Sequence, residues 1–304
     1  MGLRFFCAKF FGAAPSGRIL TIRTCYTRSM VGEYKDRVAV VTGAATGLGR
    51  ALARELASRD CHLALVDIDS PGLVNVGREL TRPGIAVTHH VADVSSLQDL
   101  ERVAVEIGSA HGTAHLLINN AAVSASASFP NTSTPDFERI MRVNFFGVVH
   151  GCRAFLPYLQ EHGEGQILNV SSCFAWLGYP GKTAYASSKA AIRAFSESLR
   201  WEVASDGVGV TLLYPGPMRT SLVQSGISDS QERRQREERF LLARGLSPKR
   251  VARLSLDRLL ANPCRIMIGL DYRLIDLLTR LSPRLASQAM RFGSGRQGSK
   301  WITC

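Results

Sequence analysis

Val38-Ala39-Val40-Val41-Thr42-Gly43-Ala44-Ala45-Thr46-Gly47-Leu48-Gly49 is the stretch that decides how this chain folds. Its short apolar run suits a strand buried on both faces, as a parallel sheet requires. Glycines then let the backbone turn sharply, and Gly47 to Arg59 reads as a helix. A strand, a glycine turn and a helix in that order present unpaired N–H groups and the positive end of a helix dipole to an anion such as a pyrophosphate. Loops use glycine for many reasons, so the strand-to-helix context is what gives the segment its weight.

Working outward, His62–Val66 is a second buried strand that ends at Asp67, and a helix follows Pro71. A strand around Ile85–Val91 ends at Asp93, and Ser95 is placed to cap a helix through Ile107. Leu116–Ile118, Gln166–Val170 and Val208–Leu213 are further strands. A long helix over Pro135–Leu159 and another over Thr183–Ala204 lie between them. Regular alternation of strand and helix predicts an α/β fold, a doubly wound parallel sheet of Rossmann type with helices on both faces.

After Tyr214 the rhythm breaks. Residues 216–245 are polar, and the run from Gln231 to Arg239 reads as a solvated helix with paired charges. Its place after the sixth strand also suits a mobile flap over a pocket. Ser247-Pro248 opens another helix, and Arg265–Ile268 fits a seventh strand. The expected organisation is an extension over 1–32, one dinucleotide-binding catalytic domain over 33–270, and a C-terminal helix and tail over 271–304. In that last segment Leu274, Ile275, Leu277, Leu278 and Leu281 form an amphipathic stripe. It reads as packed on the body or on a neighbouring subunit, with a lid or a weak membrane contact as alternatives.

Three groups of polar residues carry chemistry. Asp67, 18 residues beyond Gly49, is placed to accept hydrogen bonds from ribose hydroxyls and to repel a 2′-phosphate. With Thr46 and Ile68 where a basic residue would serve a phosphate, this predicts NAD over NADP; Arg50 and Arg37 are the competing features. Tyr185 and Lys189 are four residues apart and share a helix face. A phenol titrates near about 10, and a neighbouring ammonium lowers that value, so the pair can move a hydroxyl proton. Ser172, 13 residues before Tyr185 at a strand end, is placed to hydrogen-bond a substrate oxygen. Asn144 sits inside a long helix, where its poor propensity argues for a polar task. A lone Tyr-x-x-x-Lys is common on helix surfaces; the accompanying serine and asparagines are what raise this one.

Taken together, TGAATGLG at 42–49, DV at 93–94, NNAA at 119–122, Asn144, NVSS at 169–172, YASSK at 185–189 and YPGPMRT at 214–220 resemble the short-chain dehydrogenase/reductase superfamily over about 36–220. Ala122 departs from the glycine usual there. The resemblance implies Tyr185 as general acid/base. It implies Lys189 as the residue that acidifies Tyr185 and binds the nicotinamide ribose, and Ser172 as polariser of the substrate carbonyl. Asn144 would hold a water that links Lys189 to solvent. Gly43, Thr46, Gly47, Leu48 and Gly49 would surround the pyrophosphate, Asp67 the adenosine ribose, and Asp93 and Val94 the adenine. Asn120 and Ala121 would pack beside the cofactor, and Pro215, Gly216, Met218 and Thr220 would contact nicotinamide. The family pairs into dimers or tetramers through helices near 135–159 and 183–204. The implied activity is hydride transfer between NAD(H) and the alcohol or carbonyl group of an apolar substrate. A 3-oxoacyl-thioester reductase and a catalytically silent nucleotide-binding or scaffold protein are the alternatives, and the intact Ser172, Tyr185 and Lys189 argue against silence.

The bulk composition narrows the field. The formal net charge of +12 is uneven: residues 1–32 carry five basic and no acidic residues, and residues 231–304 carry 16 basic against 6 acidic. The middle is slightly acidic, so nucleic-acid binding is a poor explanation. Seven scattered cysteines without a CxxC pair read as reduced thiols, and no cysteine or histidine spacing suggests a metal site. The arginine-bearing, acid-free first 30 residues resemble a mitochondrial transit peptide, or else precede a true start at Met30. The expected location is cytoplasmic, with mitochondrial the alternative if residues 1–30 are a genuine transit peptide.

Overall fold

The computed structural model describes residues 33–224, 226–269 and 282. The expectations for 1–32 and for the amphipathic stretch at 271–281 lie outside the described residues. Among the described residues no helix is long and apolar enough to cross a membrane.

Seven parallel strands form the central sheet: β1 (Val38–Thr42), β2 (His62–Asp67), β3 (Val87–Val91), β4 (Leu116–Asn119), β6 (Gly165–Val170), β7 (Val208–Pro215) and β9 (Arg265–Ile268). Their spatial order is β3-β2-β1-β4-β6-β7-β9. The chain moves outward from β1 in one direction, then returns to lay β4 on its other side. That reversal opens a crevice above the C-terminal ends of β1 and β4, where ligands bind in open α/β sheets. A pair of two-residue strands, β5 (Ala125–Ser126) and β8 (Ile227–Ser228), stands apart from the main sheet.

One face of the sheet carries α1 (Gly47–Ala57), α2 (Ser70–Leu80) and α8 (Pro248–Leu259), and the other carries α3 (Leu97–His111), α5 (Gly147–Gln160) and α6 (Thr183–Glu202). Strands β1, β4, β6 and β7 are buried along their whole length, which explains why they read as unbroken apolar runs. Leu52, Leu56, Leu63, Leu65 and Leu117 are fully buried, and each such side chain contributes about 1.5–3 kcal/mol by leaving water.

One expectation needs correction and one needs refinement. Ser96 rather than Ser95 caps α3, with its hydroxyl accepting from Asp99 N. The long helix expected at 135–159 is present, but its register widens midway: it comprises α4 (Thr134–Met141), a π-helical turn over Arg142–Phe146, and α5. The wider turn contains Asn144, fully buried, whose amide grips the backbone N and O of Val123. A π-turn inserts one residue into the helical register and so re-aims a side chain.

Candidate active site

The glycine turn is built by close approach. Gly43 has φ +66°, and a Cβ there would lie 2.8 Å from both Ala121 Cα and Asn120 Nδ2. A Cβ at Gly49 would lie 2.0 Å from the Gly43 carbonyl oxygen. Thr42 Oγ1 accepts from the backbone N of Asn120 and of Ala121, at 3.0 and 3.1 Å. Asn120 Nδ2 donates to the carbonyls of Thr42 and Gly43. Thr42 and Asn120 therefore staple the β1 turn to the β4 turn, a role for Thr42 that no sequence pattern announced.

Thr46 stands at the N-cap of α1, exposed, and its hydroxyl caps nothing; the first turn carries no acidic residue. The helix thus keeps its leading N–H groups and its dipole for an external anion. The Leu48 side chain lies in the core, which leaves its backbone to face a ligand. Asp67 uses Oδ2 to accept from Ala45 N and Oδ1 to accept from Asp69 N, so its carboxylate is fixed at the end of β2. Arg50 is ion-paired with Glu79 at 2.6 Å, and Arg37 with Glu164 at 2.8 Å, at the opposite end of β1 from the turn. Asp93 is half-buried and Val94 buried beside Gly147, at the end of β3. On the far side of the crevice, Pro215 closes β7, Gly216 N donates to Ile268 O, and Thr220 Cγ2 stands 3.4 Å from where a Gly47 Cβ would be. Met218 bridges to Leu246. A dinucleotide fits this set: a cradle without side chains, an uncapped helix end and a carboxylate one strand away.

Tyr185 and Lys189 lie on the first turns of α6, and Ser172 lies just beyond β6. The three meet. Lys189 Nζ is 5.6 Å from the Tyr185 ring centroid, and the Ser172 hydroxyl is near enough to the Tyr185 phenol to favour its ionised form. Lys189 Nζ donates to Val170 O and the Ser171 hydroxyl to Lys189 O, which lock the helix to β6. Both amide protons of Asn144 are committed to protein, one to Val123 O and one to Ser188 Oγ, and Ser188 Oγ donates to Tyr185 O. Asn144 therefore braces the helix that carries Tyr185. A buried chain runs behind it, from Asn119 Nδ2 to Asn169 Oδ1 and from Asn169 Nδ2 to Ser196 Oγ.

The electrostatics depart from the simple picture of an acidified tyrosine. Burial pushes the Tyr185 phenol above its ordinary value, Cys173 adds to the rise, and the Ser172 hydrogen bond offsets part of it. Burial also brings the Lys189 ammonium down to about 8. Desolvation penalises both charged forms, and the lysine points its proton at Val170 O rather than at the phenol. Phe174 stands edge-to-face with Tyr185 at 6.2 Å and near Tyr179 at 6.0 Å, and Val123, Phe137 and Ile227 pack on the same side.

The short chain dehydrogenase family model matches residues 37–231. SadH of Mycobacterium tuberculosis, a protein named as an oxidoreductase, is 34% identical over 252 residues, covering 82% of this chain and 91% of SadH. An Anopheles gambiae protein named dehydrogenase/reductase SDR family protein 7-like is 32% identical over 222 residues, covering 70% of this chain and 69% of its own. A short-chain dehydrogenase/reductase from Burkholderia phymatum, solved with NAD, superposes with a TM-score of 0.75 at 29% identity, covering 82% and 96%. An alcohol dehydrogenase from Thermococcus sibiricus, solved with 5-hydroxy-NADP, gives 0.66 at 28% identity, covering 76% and 95%. With the family motifs gathered in one crevice and the model spanning most of the chain, this protein belongs to the short-chain dehydrogenase/reductase family of oxidoreductases.

Proposed function

We propose that the protein transfers hydride between NAD(H) and the carbinol or carbonyl carbon of an apolar substrate. The observation that carries this is the meeting of Ser172, Tyr185 and Lys189 at one side of a crevice whose other side is a side-chain-free cradle at a helix N-terminus. With its pyrophosphate in that cradle, the dinucleotide would supply or accept the hydride through its nicotinamide beside Tyr185. Ser172 holds the substrate oxygen. Tyr185 gives its phenol proton to that oxygen in the reduction direction, and takes it back in oxidation. Lys189 would hold the nicotinamide ribose, and Asn144, through Ser188, keeps the Tyr185 turn in place. Any water held by Asn144 has to use acceptor capacity, since its amide protons are spent.

The preference for NAD rests on Asp67, a fixed carboxylate at the β2 end, and on the engagement of Arg50 with Glu79. An alcohol or ketone substrate is favoured by the aromatic wall of Phe174 and Tyr179. Association through the helices around 135–159 and 183–204 is supported by Phe146 and Trp201, large apolar side chains left exposed there. The test is a panel of secondary alcohols, steroids, retinoids and acyl thioesters, followed at the NADH and NADPH absorbance. Turnover of an alcohol or ketone with NAD(H) at least about tenfold above NADP(H) is expected; selective use of acyl thioesters, or NADP(H) preference, overturns the corresponding part.

A further inference from the structure

Helix α7 (Gln231–Arg244) has none of its residues fully buried, yet its Glu237 reaches Lys182, three residues before Tyr185. A helix without an apolar anchor is held by whatever polar contacts it makes, and its opening is cheap unless one of them is costly to break. One is. Glu237 gives one carboxylate oxygen to Lys182 Nζ at 2.6 Å and the other to the Ser126 hydroxyl, while Lys182 Nζ also contacts Ser126 Oγ at 2.6 Å. The Lys182 side chain is 9% exposed and that of Glu237 23%. Lys182 lies three residues before Tyr185, its Nζ 6.0 Å from the Tyr185 ring centroid. Arg233, whose charge also acts on Lys182, is ion-paired with Asp229 at 3.0 Å.

We propose that Lys182 and Glu237 are positioning residues that latch α7 across the substrate side of Tyr185. Lifting α7 would strand a buried ammonium beside the phenol, a far larger penalty than parting an exposed pair. The rest of the segment is fastened by polar contacts further from the reaction: Asp229 accepts from the Ser128 backbone and hydroxyl, and β8 pairs with β5. The latch therefore sets both how often the substrate side opens and where the start of α6 stands when it is shut. This rests on the reading of Tyr185 as the proton-transfer group.

Limited trypsin digestion of the full chain with saturating NADH reads the latch without any turnover, because α7 offers Arg233, Arg234, Arg236 and Arg239. Glu237→Gln and Lys182→Met should each speed cleavage within α7 about tenfold, and the double variant should be cut no faster than the singles, since all three remove one contact. Cleavage at Arg139 and Arg142 in the α4 region should not change. In turnover, KM for the carbonyl substrate should rise several-fold while KM for NADH holds. Unchanged cleavage in α7, or equal acceleration at Arg139 and Arg142, overturns the latch. Absence of turnover on every carbonyl compound would sink the oxidoreductase reading, and the digestion would still decide this one.

Discussion

At the glycine turn a methyl group added to Gly49 would lie 2.0 Å from a backbone oxygen, whereas across the crevice none of the side chains of α7 is fully buried. The cofactor side is shaped by backbone packed on backbone, with Thr42 and Asn120 stapling two strand ends together. The substrate side is shaped by ion pairs and hydroxyls between segments far apart in sequence. The first arrangement is stiff and tolerates little; the second can open and can be re-specified by changing a few polar residues.

Gly49→Ala attacks the stiff side where it is tightest. It should cost about 3 kcal/mol or more in urea-induced unfolding and abolish NADH binding, because the Gly43 carbonyl has nowhere to retreat. A variant that melts like the parent and binds NADH would break the comparison outright.

Lys189→Met separates stability from activity. Burial places this lysine's native value at about 8 against an ordinary 10.5, so between these values the unfolded chain binds the proton more tightly than the native one. The burial cost is present in full below about pH 8 and fades as pH rises toward 10.5. The variant should lose about 10²–10⁴ in kcat/KM. Its stability relative to the parent should be greatest near pH 7 and the difference should shrink by pH 9.5. Denaturant titrations at the two pH values check this; a difference that is constant or grows with pH contradicts it.

Leu242→Ala tests the loose side. This leucine is 67% exposed on α7, and its truncation should alter stability by no more than about 0.5 kcal/mol in the same titration. A loss comparable to that of Gly49→Ala would mean that α7 is anchored by apolar burial after all.

The same contrast explains what could be read from the sequence. Parallel strands such as Val38–Thr42 and Val208–Pro215 are legible because burial on both faces leaves a run of apolar letters. The glycine turn is legible because φ +66° at Gly43 and the clash at Gly49 restrict the residue type. Tyr185, Lys189 and Ser172 are legible through spacing along a helix and a strand end. The π-turn at Arg142–Phe146 was not, since α-helical and π-helical registers have the same composition. Lys182, Ser126 and Glu237 are single polar letters in three segments, joined only once the chain has folded, and no local pattern marks them. The rise of the Tyr185 phenol was hidden for a related reason: spacing reveals a neighbouring charge but not the loss of water around both groups.

The most direct test of the central claim is Tyr185→Phe, assayed for turnover on the best substrate of the panel and for NADH affinity by fluorescence titration. Removal of one hydroxyl should reduce kcat/KM by about 10³-fold or more and leave NADH affinity within about twofold. Turnover close to that of the parent, with NADH bound as before, would show that the proton moves by another route and that this crevice does not work as described.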